Sequence, residues 1–326
     1  MFDPILVPLD GSPLAECVLS HAVAIGRAFN AKAMLLRVLD KDQQHVSAQL
    51  FDLVNWQIHK TEAALYLGKI EAQLQKSGLR TQATVQEVLL AESIIEFAQS
   101  LGIKLIILSS HGHSGVSQWG ISSVAQKIIL SAPTSVLIVR AHHLASSEVV
   151  DQAYRRILVP LDGSLRAENV LPIITHLARF RKSQIHIVRV VTTPEMARQL
   201  PPVQEDVDLS NRVLARNREE SIRYLEQVRL SSLLNGIPVQ THLLTSDNAP
   251  AALHGLEEQE NIDLVALSAH GYSGNNQWPY GSIVNNFILY SKVPLLIVQD
   301  LPAKEEPLLA DRSTTVTGTV RERAEH

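Results

Sequence analysis

The octapeptide ILVPLDGS occurs twice in this chain, at residues 5–12 and again at residues 157–164. A second, looser repeat follows each copy. Residues 104–124 and 263–284 both run from a short aliphatic stretch into Ser-x-His-Gly-x-Ser-Gly, then Gln-Trp, then serine at a helix start. Matching markers at the start and near the end of a unit indicate internal duplication. The chain is therefore expected to fold as two similar halves.

Strands and helices alternate in the same order within each half. Five short stretches per half are apolar at nearly every position, and amphipathic segments separate them. In the first half the predicted strands are Ile5–Leu9, Ala33–Leu39, Gln82–Val88, Leu105–Leu108 and Ser135–Val139. Such strands belong to parallel sheets that are covered on both faces. The predicted fold class is α/β, with two tandem doubly wound five-stranded parallel sheets.

Domain boundaries follow from the repeats and from local polarity. The first domain is predicted at residues 1–142 and the second at residues 155–300, joined by a polar connector at 143–154. Residues 301–326 have no apolar period and are predicted to form a disordered tail.

Charge and cysteine content narrow the range of functions. The chain has 29 Lys and Arg against 33 Asp and Glu, which gives a net charge of −4 and no basic surface for nucleic acid. No apolar run approaches the ~20 residues that span a bilayer, so no membrane partner is expected. The single cysteine, Cys17, cannot form an intramolecular disulfide and suits a reducing compartment. These features favour a soluble cytoplasmic protein.

Two loops in each half are rich in polar residues at strand ends. In doubly wound sheets, ligands bind at the carboxyl ends of strands where the strand order reverses. If the first and fourth strands are neighbours, Asp10 and the loop Ser109–Ser123 line one crevice, and Asp162 and Ser268–Ser282 line its counterpart. The glycines of these loops let backbone N–H groups approach an oxyanion, and Ser123 and Ser282 lie near a helix start that favours phosphate.

Other interpretations of these residues remain open. Zinc would need more ligands than the His111-x-His113 pair, and a serine nucleophile would need the Gly-x-Ser-x-Gly elbow, which is absent. No lysine-bearing phosphate loop of P-loop ATPases is present. The two aspartates could simply cap the following helices. Arg37 and Arg189 could offset phosphate charge or be solvated at the strand end.

The glycine pattern after the fourth strand resembles that of the universal stress protein family. ATP-binding members carry Gly-x-x-Gly, nine residues, then Gly-Ser or Gly-Thr. The second half has Ser268 for the first glycine and keeps Gly271, Gly281 and Ser282. The first half keeps Gly112 but has serine at both outer positions, Ser109 and Ser122, and Pro279 enters the second loop. The similarity covers nearly all of both halves and excludes the tail.

This resemblance implies an adenine nucleotide alpha hydrolase-like fold with strand order 3-2-1-4-5 and an ATP cradle, with Mg²⁺ as an optional companion. It also implies pairing of the two halves through their fifth strands, and it leaves open a homodimer. The implied nucleotide-binding residues are Asp10, Val38, Ser109, His111, Gly112, Gly115, Ser122 and Ser123 in the first half, and Asp162, Val190, Ser268, His270, Gly271, Gly274, Gly281 and Ser282 in the second.

Three functions are compatible with these residues. The favoured one is a stress-response regulator that binds ATP as a ligand rather than turning it over, with no catalytic residue. The second is a scaffold of the same fold that has lost nucleotide binding, which Ser122 favours and Gly281 opposes. The third is a slow ATPase in which Asp10 or Asp162 supports Mg²⁺, although no catalytic base is evident.

Overall fold

The structure of the protein is a computed structural model. The structure describes residues 1–39, 51–87, 90–112, 121–141, 151–194, 204–272 and 280–299. The predicted tail, most of the predicted connector, and the candidate site residues Gly115 and Gly274 lie outside these ranges.

Each half forms five strands with helices between them. The first half contains β1 (Ile5–Pro8), α1 (Val18–Phe29), β2 (Ala33–Leu39), α2 (Phe51–Lys76), β3 (Thr81–Glu87), α3 (Leu90–Ser100), β4 (Leu105–Ser109), α4 (Ser123–Ser131) and β5 (Ser135–Val139). The second contains β6 (Arg156–Pro160), α5 (Leu165–Glu168), α6 (Leu171–Arg181), β7 (Gln184–Val191), α7 (Gln204–Arg229), β8 (Val239–Thr245), α8 (Ala249–Gln259), β9 (Leu264–Ser268), α9 (Ser282–Tyr290) and β10 (Leu295–Val298).

The strands in the described ranges belong to one sheet with the order β3-β2-β1-β4-β5-β10-β9-β6-β7-β8. Within each half the strands are parallel and follow the predicted order 3-2-1-4-5. The halves join where β5 pairs antiparallel with β10, with Leu137 opposite Leu296. The two predicted five-stranded sheets are thus continuous through their fifth strands, which removes two exposed sheet edges.

The first helix of each half differs from the amphipathic helix that the sequence predicts, near Ala15–Phe29 in the first half and near Ala167–Phe180 in the second. In the first half a 3-10 turn at Ala15–Cys17 precedes α1, and the Ala15 N–H donates to the Ser12 hydroxyl at 3.1 Å. In the second half the predicted helix is split into α5 and α6, and Pro172 lies in the first turn of α6. A proline is tolerated there because the first N–H groups of a helix have no intrahelical partner. Serine caps and proline thus set boundaries that apolar periodicity did not reveal.

The last residues of the predicted connector are packed between the halves. Tyr154 is 1% exposed, and its hydroxyl lies 2.7 Å from Nδ1 of His21 on α1. Asp151 accepts hydrogen bonds from Arg27 of α1 at 2.8 Å and from Arg181 of α6 at 2.6 Å. This segment therefore ties α1 to α6 in addition to the β5–β10 pairing.

The buried imidazole of His21 predicts a loss of stability in acid. Burial lowers the pKa of His21 from 6.5 to about 4. Below pH 6.5 the unfolded chain therefore binds a proton that the folded chain does not, and stability falls as the pH approaches 4. At about 1.4 kcal/mol per pH unit, the loss between pH 6.5 and pH 5 is about 2 kcal/mol.

Urea unfolding of the wild type and of His21→Gln at pH 7 and pH 5 measures this contribution. The wild type should lose more stability than the variant over this interval, because the other titrating groups are common to both. Equal losses in the two proteins would show that His21 does not resist protonation.

Candidate functional site

A crevice opens at the carboxyl ends of β6, β7 and β9, against α8 and the start of α9. It encloses a cavity of about 190 Å³. We call it the second-half crevice. The sequence-predicted residues that line it are Asp162, Val190, Ser268, His270, Gly271, Gly281 and Ser282. Ala249 and Leu253 of α8 add an apolar wall. Every predicted second-half site residue that the structure describes therefore lies in one cavity.

The Asp162 carboxylate is held by the loop that carries it and by the loop after β9. Its Oδ1 accepts from the N–H of Ser164 at 2.9 Å and from the Ser164 hydroxyl at 2.7 Å, while its Oδ2 accepts from the N–H of Tyr272 at 2.5 Å. Burial tends to raise the pKa of Asp162, but these hydrogen bonds prevail and hold it below the ordinary value. The carboxylate is therefore a fixed anion.

Asp162 does not cap the following helix. The Ala167 N–H donates to the Ser164 hydroxyl at 3.1 Å, so Ser164 is the cap of α5. Asp162 instead accepts from the residue two positions later, and Asp10 does the same with the Ser12 N–H at 2.8 Å. The interpretation of Asp10 and Asp162 as caps of the following helices is therefore wrong.

Gly271 is required by the position of Asp162. A Cβ at Gly271 would lie 2.1 Å from Asp162 Oδ2, and a Cβ at Gly112 would lie 2.0 Å from Asp10 Oδ2. The sequence interpretation assigned these glycines to close approach of an oxyanion. The structure gives an additional reason, because the glycine also leaves room for the protein's own carboxylate.

The start of α9 differs from the start of α4. Gly281 is the N-cap of α9 and has no side chain to accept from the first turn. At the corresponding point in the first half, the Ser122 hydroxyl accepts from the Ala125 N–H at 3.2 Å. The N-cap is thus Ser122, and Ser123 is the first residue of α4. Of these two helices, α9 is the one whose first turn is not occupied by its N-cap side chain, and an anion is favoured there.

Ser268 and Ser109 occupy equivalent positions but have different partners. The Ser109 hydroxyl donates to the carbonyl oxygen of His111 at 2.6 Å and lies 3.3 Å from that of Leu14. Ser268 is 6% exposed, and among the described residues its hydroxyl has no hydrogen-bond partner. A buried hydroxyl without a partner is costly, so a polar ligand group in this cavity would relieve that cost.

In the first half, the predicted residues Asp10 and Gly112 also lie against each other. Asp10 contacts the backbone position of Gly112 closely enough to exclude a Cβ. His111 is buried, with Nδ1 3.1 Å from the Ser110 hydroxyl, and His270 is buried in the equivalent place. Val38 packs at the edge of the core on the same face of the sheet as its counterpart Val190.

Sequence reasoning missed an aromatic partner for each strand-end arginine. Arg37 lies 5.5 Å from the centre of the Tyr66 ring, and Arg189 lies 5.1 Å from that of Tyr224. Each guanidinium also fills the space beside a glycine, Gly11 or Gly163, that has a positive φ of 79° or 89°. The arginines therefore pack against the loop that carries the aspartate, and their side chains are not simply solvated at the strand ends. Only the matching tyrosines of α2 and α7 could have indicated this.

Comparison with known proteins identifies the family. The model of the universal stress protein family matches residues 1–140 and again residues 153–299. The chain belongs to the universal stress protein family. A universal stress protein of Methanocaldococcus jannaschii is 26% identical over 142 residues, which cover 43% of this chain and 83% of that protein. Two successive matches to the family model give this universal stress protein a tandem organisation.

Solved structures of similar length show the same fold. A universal stress protein from Archaeoglobus fulgidus superposes with a TM-score of 0.62 at 18% identity, covering 92% of this chain and 99% of that one. A protein of unknown function from Pseudomonas aeruginosa gives 0.64 at 15% identity, covering 92% and 93%. At these identities the likeness concerns the fold alone.

No helix in the described part of the chain is long and apolar enough to cross a membrane. Within the same ranges, no three His, Cys, Asp or Glu side chains are grouped so as to hold a metal ion. His113, the second histidine of the weighed zinc pair, lies outside them.

Proposed function

We propose that this stress-response protein of the universal stress protein type binds ATP in the second-half crevice. In this proposal ATP is a ligand whose binding biases the conformation, and it is not turned over. The observation that carries the proposal is the buried Ser268 hydroxyl, which has no partner among the described residues and belongs to a residue that lines the cavity beside the start of α9.

The lining of the crevice fits the parts of an adenine nucleotide. Val190 and Leu253 offer an apolar wall to a flat base. Asp162 is a fixed acceptor for an amino or ribose hydroxyl group. The Gly281 N–H donates to the Ala269 carbonyl at 3.0 Å, but the first turn of α9 that follows presents N–H groups and the positive end of a helix to phosphate. Mg²⁺ would be held by the phosphates, with Asp162 contributing through water.

The described residues supply no obvious means of hydrolysis. A general base needs a pKa near the working pH and a free position to accept a proton. Asp162 has a lowered pKa and already accepts three hydrogen bonds. We therefore propose a binding protein and not an ATPase.

The first half fits ATP less well. The Ser109 hydroxyl is already hydrogen-bonded, and Ser122 caps α4. Both differences favour the alternative of a scaffold for that half, so we expect one ATP per chain.

Ser268→Ala tests the observation that carries the proposal. We expect ATP affinity to fall about 5–10-fold, because one hydrogen bond to the ligand is lost. The stability of the free protein should stay the same or rise, because an unsatisfied buried hydroxyl is removed. Calorimetric titration with ATP and Mg²⁺, together with urea unfolding, measures both quantities.

Ser109→Ala is the matched control in the first half. It removes a hydrogen-bonded hydroxyl, so it should lower stability by about 1 kcal/mol and leave ATP affinity unchanged. If millimolar ATP gives neither heat nor thermal stabilisation of the wild type, the nucleotide proposal fails and the scaffold alternative stands.

A further inference from the structure

A second cavity lies in the first half, on the opposite face of the sheet from the predicted nucleotide residues. It has a volume of about 310 Å³ and is bounded by Gly11, the end of β2 and one face of α2. Side chains alternate along a strand, so Arg37 and Leu39 point to this face while Val38 points to the other. The cavity is therefore separate from the crevice side of the sheet.

The helical wall of the cavity is built from residues on one stripe of α2. Trp56, His59, Ala63 and Tyr66 recur at helical spacing and all line it. The Trp56 indole N–H donates to Glu87 at 3.2 Å, which fixes the ring. His59 pairs with Glu62 at 3.5 Å, and their side chains are 52% and 67% exposed. Aromatic rings thus form the wall, and the exposed His59 and Glu62 form the rim.

The inner end of the cavity holds polar atoms that are not satisfied. Arg37 Nε and the Tyr66 hydroxyl are buried, and neither has a hydrogen-bond partner among the described residues. Burial, and then the nearby Glu16, raise the pKa of Tyr66, so its hydroxyl remains a neutral donor. The Glu16 carboxylate, the counterpart of Glu168 in the second half, lies beside this hydroxyl. Arg37 Nε is therefore the donor at the inner end for which the described residues offer no acceptor.

In the second half, the tyrosine hydroxyl of the equivalent cluster is hydrogen-bonded within the protein. Arg189 stacks on Tyr224 as Arg37 does on Tyr66, but the Tyr224 hydroxyl donates to Glu168 at 2.8 Å. Aligning the two tyrosines places Leu214 and Asn217 where α2 has Trp56 and His59. The second-half cluster thus has a hydrogen-bonded tyrosine hydroxyl. The first-half cluster instead lines a cavity that has an aromatic wall.

We propose that this cavity binds a small organic carboxylate with a flat aromatic body. Arg37 would receive the carboxylate, the Tyr66 hydroxyl would donate to it, and the Trp56 ring would pack against the aromatic part. A guanidinium matches the planar carboxylate, and neutral analogues would leave it unpaired. A volume of about 310 Å³ is at the lower end of the range for small-molecule sites.

The test uses 3-phenylpropanoate as the probe on the full chain. The ¹H–¹⁵N resonance of the Trp56 indole, assigned by its disappearance in Trp56→Phe, reports occupancy. We expect a saturable shift with 3-phenylpropanoate and none with the neutral 3-phenylpropanamide. Addition of excess ATP should leave the probe bound, which separates this site from the nucleotide proposal.

Arg37→Ala and Arg189→Ala form a matched pair of variants. Each removes an arginine that stacks on a tyrosine beside a glycine of the aspartate loop, so any loss of folding should be similar in both. We expect Arg37→Ala to weaken probe binding at least tenfold and Arg189→Ala to leave it unchanged.

Three outcomes would overturn the proposal. These are the absence of a saturable shift, equal probe affinity in the two arginine variants, and a shift with inorganic phosphate but not with the carboxylate. The last would assign the cavity to phosphate instead of a carboxylate.

Discussion

Gly271→Ala is expected to weaken ATP binding by about 10–100-fold. The new Cβ would lie 2.1 Å from Oδ2 and 3.1 Å from Cγ of Asp162, so the carboxylate must move. It cannot move without breaking its hydrogen bonds to Ser164 and Tyr272. Displacing it from the crevice forfeits a charge-assisted contact worth roughly 1.5–3 kcal/mol, which corresponds to this loss of affinity.

Calorimetric titration of the variant with ATP and Mg²⁺ measures the effect, with two glycine controls. Gly255→Ala lies in α8 with nothing within 4 Å, so it should bind ATP normally and be slightly more stable. Gly112→Ala makes the same clash with Asp10 in the first half and should leave the ATP stoichiometry unchanged. If Gly112→Ala abolished binding and Gly271→Ala did not, the nucleotide would belong to the first half.

Tyr154→Ala is expected to lower the free energy of unfolding by about 3–5 kcal/mol, because it empties a fully buried aromatic site. Tyr154 is 1% exposed and lies at the joint where α1 and α6 approach each other. Its hydroxyl is 2.7 Å from His21, so the truncation also strips a buried imidazole of its partner. Urea unfolding followed by circular dichroism measures the change.

Two further variants help to interpret the loss of stability: one removes only the hydrogen bond of Tyr154, and the other is a surface control. Tyr154→Phe keeps the ring and loses only the hydrogen bond to His21, so it should cost about 1–2 kcal/mol. Leu165→Ala removes a side chain that is 82% exposed and should change stability by less than about 0.5 kcal/mol. A cost for Tyr154→Ala as small as that of Leu165→Ala would mean that residues 151–154 do not hold the halves together.

The sequence predicted the strands of the sheet closely. Ala33–Leu39 and Ser135–Val139 were predicted with the same bounds that the structure has. The strands of a buried parallel sheet are short apolar runs, and such runs can be recognised in the sequence without knowledge of the tertiary structure. The helix starts were predicted less well. Ser12 and Ser164 each act through a single hydrogen bond, and Pro172 acts through its missing N–H.

The residues that line the crevice could be predicted because the loops that carry them are repeated and glycine-bearing. The supporting arginines could not, because Arg37 and Tyr66 are distant in sequence and their contact depends on how α2 packs on β2. The predictions for Gly115 and Gly274 remain predictions, since both lie outside the described residues.

By itself, the sequence determined the duplication, the α/β class and the loops that line the crevice, since each follows from local composition at a repeated spacing. The sequence also separated the halves at Ser122 and Gly281, but only the tertiary structure showed which of their matching hydroxyls are hydrogen-bonded. Ser109 and Ser268 are the same residue at equivalent positions, yet one hydroxyl is hydrogen-bonded and the other is buried without a partner in the described part of the chain. Tyr66 and Tyr224 differ in the same way. Whether a polar atom is satisfied depends on angstrom-scale distances between segments far apart in the chain, and no pattern of residue types records those distances.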